Sequence, residues 1–265
     1  MQWKITYPNG KRKALTFSYD DGRIHDRKLV AIFNRYGMKG TFHLNSGKLD
    51  TPDYINSAEV HSLYKGHEIS CHGVEHLWLN QHPKESLVHE IWEDRRALER
   101  LAGYPVFGMS YAYGAYTDSV VKLIKSLGIQ YSRTVNATKQ FNVPSDYFRW
   151  NPTCHHNDNI SELSDEFLRQ PPSRSLSLFY IWGHSYEFNN ENNWGILEGF
   201  CEKTSNNPEI WYPTNIEYMK YMTAVTNLVT GVDGNMIYNP SGSTVFIEKD
   251  GKIIQIPAGH TVHLS

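Results

Sequence analysis

The stretch Leu15-Thr16-Phe17-Ser18-Tyr19-Asp20-Asp21-Gly22 indicates a buried strand that ends in two adjacent carboxylates and a glycine. Two like charges at the end of an apolar run repel each other, so a metal ion or a basic side chain is expected beside them. A surface Asp-Asp-Gly turn, which the glycine favours, explains the same residues without any ligand. This stretch alone leaves both explanations open.

A second stretch, Ser70-Cys71-His72-Gly73-Val74-Glu75-His76, also follows a short strand-like run. On one straight strand the two histidines would lie roughly 13 Å apart at ~3.3 Å per residue, but on a helical turn their Cβ atoms come within about 5–6 Å. Gly73 permits the required curl, and two imidazoles plus one carboxylate form a three-ligand metal set that leaves a position open for water. The chain has 13 histidines, so the pair is specific only together with the two aspartates.

Together these motifs resemble the polysaccharide deacetylase family with the NodB homology domain (carbohydrate esterase family 4), over about residues 13–225. The family's T-F-D-D-G motif implies Asp20 as the general base and Asp21 as a metal ligand. Its H-[S/T]-x-x-H motif implies His72 and His76 as the other ligands, with zinc as the default ion for two imidazoles and a carboxylate. A late strand that ends in histidine implies His184 as the general acid.

The chain departs from the family at several positions. Gly73 stands where the family has a hydroxyl residue, and the nearest match to the D-W motif is Arg149-Trp150. The R-x-P-Y motif reads Ser110-Tyr111-Ala112-Tyr113-Gly114, without the arginine and proline. The resemblance still implies that the backbone N–H of Tyr113 holds the developing oxyanion.

The missing arginine would orient the catalytic base and set its pKa. Arg133 ends the next predicted strand, and a guanidinium suits a two-point grip on a carboxylate, so we predict that Arg133 replaces it. Arg149 is the reserve candidate. The alternative explanation of Arg133 is an exposed arginine at a strand end.

Alternating strands and helices predict an α/β fold with a parallel sheet, which the resemblance implies is a distorted (β/α)7 barrel. Sites in such barrels lie at the C-terminal ends of strands, and Asp20, His72, Tyr113 and His184 all follow predicted strand ends. After Gly231 the pattern changes and Asp250-Gly251 is a hairpin signal. We therefore predict a catalytic barrel over residues 1–230 and a small C-terminal β-hairpin appendage over residues 231–265.

The individual elements follow from the spacing of apolar residues and from capping residues. Predicted strands cover residues 13–18, 39–44, 67–70, 106–110, 129–133 and 176–182. Predicted helices include residues 26–36, 57–65, 84–102 and 117–127, and residues 134–152 are predicted as a long loop. The charged stretch Glu93-Asp94-Arg95-Arg96 is predicted to be a solvated helix face.

Composition excludes several classes of protein. A net charge of −2 gives no basic excess for nucleic acid or an anionic membrane, so neither is predicted as a partner. No apolar run is long enough for a secretory signal or a membrane span, and three widely spaced cysteines do not form a disulfide framework. A cytoplasmic location is the resulting expectation.

Further histidines and a carboxylate are candidate site residues. His155 and His156 are adjacent, and because neighbouring side chains on extended backbone point to opposite faces, at most one of them should reach any given site. Glu187 follows His184 closely enough to tune its imidazole. His43 is predicted to be a core histidine with satisfied hydrogen bonds.

We predict a metal-dependent hydrolase that removes acetyl groups from N- or O-acetylated saccharides. The alternatives are a non-catalytic carbohydrate-binding barrel and an amidase acting on a non-sugar C–N bond. A two-carboxylate glycosidase is disfavoured, because its acids must stand roughly 5–9.5 Å apart across the bond, and neighbouring aspartates do not bracket a substrate in that way. The saccharide and the oligomeric state are not decided by the sequence.

Overall fold

The computed structural model describes residues 3–171 and 175–264. The strands are β1 (Trp3–Thr6), β2 (Lys13–Asp21), β3 (Thr41–Leu44), β4 (Glu68–Cys71), β5 (Gly108–Ser110), β6 (Tyr131–Arg133), β7 (Cys154–His155), β8 (Ser177–His184), β9 (Ile210–Trp211), β10 (Val229–Thr230), β11 (Met236–Tyr238), β12 (Val245–Lys249), β13 (Lys252–Ile256) and β14 (Thr261–His263). The helices are α1 (Asp26–Arg35), α2 (Val60–Leu63), α3 (Lys84–Ala102), α4 (Asp118–Ser126), α5 (Ile160–Arg169), α6 (Ser185–Asn190), α7 (Trp194–Thr204) and α8 (Asn215–Thr226).

Seven parallel strands form one curled sheet in the order β6-β5-β4-β3-β2-β8-β7, and the short β9 pairs with the start of β2. The two edges of the sheet meet through Trp150, which forms a parallel bridge with Arg133 of β6 shortly before the chain enters β7. This architecture confirms the predicted distorted (β/α)7 barrel.

Strand β2 divides its side chains between two environments, because successive residues of a strand point to opposite faces. On the outer face, the Phe17 ring packs against Phe33 of α1 and Phe200 of α7. On the inner face, Thr16 donates a hydrogen bond to Asn215, and Ser18 contacts His43. Asp20 continues the inner face, so its carboxylate is directed into the barrel mouth.

The two central strands run further than the sequence predicted. Strand β2 extends to Asp21 rather than ending at Ser18, and β8 extends to His184 rather than ending at residue 182. The ladder continues because Asp20 pairs with His184 and Asp21 pairs with Leu44. These site residues therefore belong to the sheet, which holds their backbones rigidly.

The predicted helix over residues 84–102 is confirmed as α3, and it ends at Gly103, which has a left-handed φ of 78°. The predicted helix over residues 57–65 is instead a 3₁₀ turn (Ser57–Glu59) followed by the short α2.

The C-terminal part of the chain forms two small antiparallel sheets. One has the order β1-β12-β13, so the N-terminal strand joins it, and the other has the order β10-β11-β14. The hairpin predicted at Asp250-Gly251 is confirmed, with Lys249 opposite Lys252. The division of the chain into residues 1–230 and 231–265 stays a prediction. Across the described ranges, no helix combines the length and apolar character needed to cross a membrane.

Candidate active site

Three ligand-type side chains converge at the barrel mouth. Asp21 lies at the end of β2, and His72 and His76 lie in the loop that follows β4. The Nε2 atoms of the two histidines are 3.0 Å apart, and Asp21 Oδ1 lies 3.6 Å from each of them. The three atoms therefore surround one common point.

The protonation state of His72 suits a divalent cation. His72 is buried, and burial lowers its pKa to about 3, so the imidazole is neutral. Its Nδ1 lies 3.0 Å from the carbonyl oxygen of Ser110, an acceptor, so Nδ1 carries the proton and Nε2 offers a lone pair to the common point. Two imidazole nitrogens and one carboxylate oxygen are a zinc ligand set.

The curl between the histidines depends on Gly73, whose φ is +90°. A Cβ atom at this position would lie 2.3 Å from Glu90 Oε1. The hydroxyl residue that the family carries here would therefore collide with the Glu90 carboxylate. This contact explains the departure from the family motif.

Two carboxylates on α3 hold the histidine loop, and sequence reasoning missed both. Asp94 Oδ2 accepts hydrogen bonds from the backbone N–H groups of His72 at 3.0 Å and Gly73 at 2.9 Å. Glu90 Oε1 accepts two more, at 3.0 and 3.1 Å, from Glu75 and Leu77.

The prediction that Asp94 lies on a solvated helix face is wrong, because it is fully buried, and burial raises its pKa to about 7. The available signal was its spacing from Leu87, Ile91 and Leu98, which places Asp94 on the apolar stripe of α3.

Asp20 is held from two sides. Its Oδ2 accepts a hydrogen bond from the Arg133 guanidinium, and its Oδ1 accepts one from the Ser110 hydroxyl at 3.1 Å. Burial alone would raise the pKa of Asp20, but Arg133, with the neighbouring His72 and His43, holds it well below its usual value. The carboxylate is therefore ionised near neutral pH.

Arg133 is itself fully buried, so it is not an exposed arginine at a strand end. Its Nε donates a hydrogen bond to Ser18 Oγ at 3.0 Å, and its guanidinium lies over the Trp182 ring at 4.4 Å. The reserve candidate, Arg149, instead pairs with Asp118 and Asp146. The structure thus places Arg133, and not Arg149, against Asp20.

His184 faces this group from β8, in register with Asp20. Glu187, at the start of α6, places Oε1 3.1 Å from His184 Nδ1, and its Oε2 accepts the His184 backbone N–H at 3.0 Å. Burial alone would lower the pKa of His184, but Glu187 together with Asp20 and Asp21 outweighs burial and raises it.

His155 and His156 both reach the same carboxylate. Their Nε2 atoms lie 3.1 and 3.3 Å from Glu187 Oε2. The prediction that at most one of them reaches a given site is wrong, because β7 ends at His155 and the chain turns at His156, where strand alternation no longer applies.

Aromatic rings border the ligand group on one side. The Tyr113 ring lies 4.3 Å from the His76 ring and stacks on Trp78 at 4.2 Å, with an interplanar angle of 6°. Both rings are well exposed, at 50% for Tyr113 and 43% for Trp78. Tyr113 has a φ of +57°, which turns the chain sharply after β5.

Residues 7–132, which include Asp20, Asp21, His72 and His76, match the family model described as polysaccharide deacetylase. Over these residues the sequence is similar to the polysaccharide deacetylase family. No match is found among curated proteins.

Solved structures share the fold at low sequence identity. A putative polysaccharide deacetylase from Mycobacterium smegmatis is 14% identical, with a TM-score of 0.62 over 85% of this chain and 95% of that one. A pseudoenzyme of carbohydrate esterase family 4 from Bacillus anthracis is 12% identical, with a TM-score of 0.52 over 82% of this chain and 68% of that one. The chain spans 50% to 56% of the length of three further solved chains that it matches, which are described as deacetylases or putative deacetylases.

The same fold also carries other chemistry. A 4-α-glucanotransferase from Thermococcus litoralis is 18% identical, with a TM-score of 0.58 over 79% of this chain and 40% of that one. The activity of this protein must therefore be argued from its own side chains.

Proposed function

We propose that this protein is a metal-dependent hydrolase that removes acetyl groups from N- or O-acetylated saccharides. The observation that carries the proposal is the convergence of Asp21, His72 and His76 directly beside Asp20, whose carboxylate is kept ionised by Arg133. A ligand set and an ionised base in contact with each other are the arrangement that hydrolysis of an acyl bond requires.

Asp21, His72 and His76 would hold the ion, and zinc is proposed for this ligand set. A bound divalent ion supplies Lewis-acid polarisation of the acyl carbonyl and a more acidic water. Asp20 would take the proton of the attacking water. The backbone N–H of Tyr113 is proposed to stabilise the negative charge that develops on the carbonyl oxygen.

His184 is proposed to protonate the leaving amine or alkoxide. Its Nδ1 faces Glu187, so Nε2 is the nitrogen that it presents to the substrate. Because the negative groups around it raise its pKa, the imidazole keeps its proton to a higher pH than an ordinary histidine does.

The exposed stack of Trp78 and Tyr113 supports a saccharide as the substrate. Sugar rings pack on aromatic faces, and this pair stands next to the ligand His76. A pseudoenzyme among the structural neighbours keeps the non-catalytic carbohydrate-binding barrel as the second candidate.

The deciding experiment is acetate release from the zinc-reconstituted protein. The panel contains N-acetylglucosamine oligomers, O-acetylated xylan oligomers and simple acetamides, so that it separates sugar amides, sugar esters and non-sugar C–N bonds. We expect release from at least one acetylated saccharide. A folded, metal-loaded protein that binds sugars but releases acetate from none of them would establish the binding barrel instead.

Replacing His76 with alanine should abolish stoichiometric metal binding, because it removes one of three protein ligands. After chelation and reconstitution with Zn²⁺, mass spectrometry of the metal should find about one ion per wild-type chain and a small fraction of that in the variant. His89→Ala, on the exposed side of α3, is the matched control and should keep full occupancy. Undiminished occupancy in His76→Ala would remove this residue from the site.

A further inference from the structure

We propose that His155 and His156 are positioning residues: they hold the Glu187 carboxylate, and through it they fix the ring orientation and the proton position of His184. This inference deepens the proposed function and rests on it, because His184 is the acid of that proposal.

The Glu187 carboxylate is approached from several directions at once. Its Oε2 accepts the backbone N–H of His184 at 3.0 Å and faces the Nε2 atoms of His155 at 3.1 Å and His156 at 3.3 Å. The hydrogen bond and the two nearby imidazoles surround one oxygen, and the other, Oε1, lies 3.1 Å from His184 Nδ1. The side chain of Glu187 is still 22% exposed, so without these neighbours it has room to turn towards solvent.

The proton of His155 is placed by its other nitrogen. The backbone N–H of Asn157 donates to His155 Nδ1 at 3.2 Å, so the neutral ring carries its proton on Nε2, where it faces Glu187. The same assignment argues against a second metal ion among His155, His156 and Glu187, because a protonated nitrogen has no lone pair for a ligand bond.

The His156 ring is buried and packs between two aromatic rings. It stacks between Tyr19 at 5.8 Å and Phe188 at 4.0 Å. A Cβ atom at Gly183 would lie 1.9 Å from His156 Nδ1, so this glycine makes the space for the ring. Burial lowers the pKa of His156 to about 3, so the ring is neutral, and its Nε2 lies 3.3 Å from Glu187 Oε2. Within the described residues neither ring nitrogen makes another hydrogen bond.

Replacing His155 or His156 is therefore expected to change the tautomer and the protonation of His184 through Glu187. The titratable groups around His184 are Asp20 and Asp21 from β2, Tyr186 and Glu187 from α6, and His155 and His156 from the end of β7. Among these described groups, Glu187 is the carboxylate recorded within ion-pair distance of Nδ1, at 3.1 Å. If Glu187 turns away, His184 loses the partner that fixes its tautomer and supports its positive charge.

The test compares His155→Leu, which removes the donor, with His155→Gln, which keeps an N–H donor at a similar reach. In zinc-reconstituted protein, ¹⁵N NMR follows the His184 ring through a pH titration, and kinetics on the best acetylated substrate give kcat and KM. In His155→Leu we expect the His184 midpoint to fall by about one pH unit. We also expect kcat to fall about tenfold with KM unchanged. His155→Gln and the surface control His89→Gln should resemble the wild type.

His156→Phe tests the second residue, since it keeps a ring between Tyr19 and Phe188 and removes the N–H. It should shift the His184 midpoint in the same direction. If this variant does not fold, the comparison of His155→Leu with His155→Gln still tests the proposal. An unchanged midpoint in folded His155→Leu would overturn the proposal, as would an equal shift in His155→Gln or the loss of a second bound zinc ion. The NMR titration needs no turnover, so a protein that hydrolyses no acyl substrate defeats the proposed function without deciding this inference.

Discussion

Replacing Asp20 with asparagine is expected to lower kcat by about 10²–10⁴-fold, the usual contribution of a general base. Asparagine keeps the shape of the side chain but cannot accept a proton at neutral pH. Bound zinc should stay at the wild-type level, because Asp21, His72 and His76 supply the ligand atoms. Acetate release and metal analysis on the same sample make this measurement.

Asp118→Asn is the matched control for the loss of one carboxylate. Asp118 pairs with Arg149 at the surface, and its side chain is 84% exposed, so this variant should keep full activity. A normal kcat in metal-loaded Asp20→Asn would mean that another group takes the proton.

Replacing Arg133 with methionine is expected to lower the free energy of unfolding by about 3–5 kcal/mol, because one partner of a buried ion pair is removed. The remaining carboxylate of Asp20 is almost fully buried and loses the cation that favours its charged form. We also expect a lower kcat, since the base is less often ionised and less well oriented. Denaturant unfolding and steady-state kinetics at a temperature where the variant is folded give both numbers.

The pKa of Asp20 determines how stability and activity should depend on pH. In the wild type the pKa of Asp20 is depressed, so its contribution to stability is present above the ordinary aspartate pKa and is lost as the pH falls through the lower folded value. Without Arg133, burial dominates and raises that pKa, so the acidic limb of kcat/KM should move to higher pH in Arg133→Met.

Arg149→Met provides the control, because it removes an arginine whose partners lie at the surface. It should leave both the rate and the acidic limb unchanged. If Arg133→Met gave a wild-type pH profile, Asp20 would not depend on this arginine for its charge.

Local spacing indicated a histidine pair that could share an ion, and the family resemblance implied Asp21 as the third ligand. Two histidines four residues apart with a glycine between them, and two aspartates at a strand end, are patterns whose geometry depends on a few neighbouring bonds. Alternating strands and helices likewise predicted a parallel α/β sheet, because period-2 and period-3.6 patterns are local properties of each segment, and the resemblance implied that this sheet closes as a barrel. The structure brings Asp21, His72 and His76 together.

The function of the supporting carboxylates could not be recognised locally. The spacing of Asp94 along α3 signalled that it is buried, but not which backbone groups it holds. The hydrogen bonds of Glu90 and Asp94 form only when α3 packs against the histidine loop. These contacts join two segments, so the pattern within one helix does not encode them.

The sequence by itself determined which residues carry the candidate chemistry, and the tertiary structure decided which of them act on one another. The choice between Arg133 and Arg149 required the barrel to close, because Arg133 meets Asp20 across 113 residues of sequence. The grouping of His155, His156 and His184 around Glu187 required the turn at the end of β7 and the start of α6 to meet beside β8. Spacing encodes contacts within a turn or a strand, whereas contacts between distant segments depend on how the whole sheet curls.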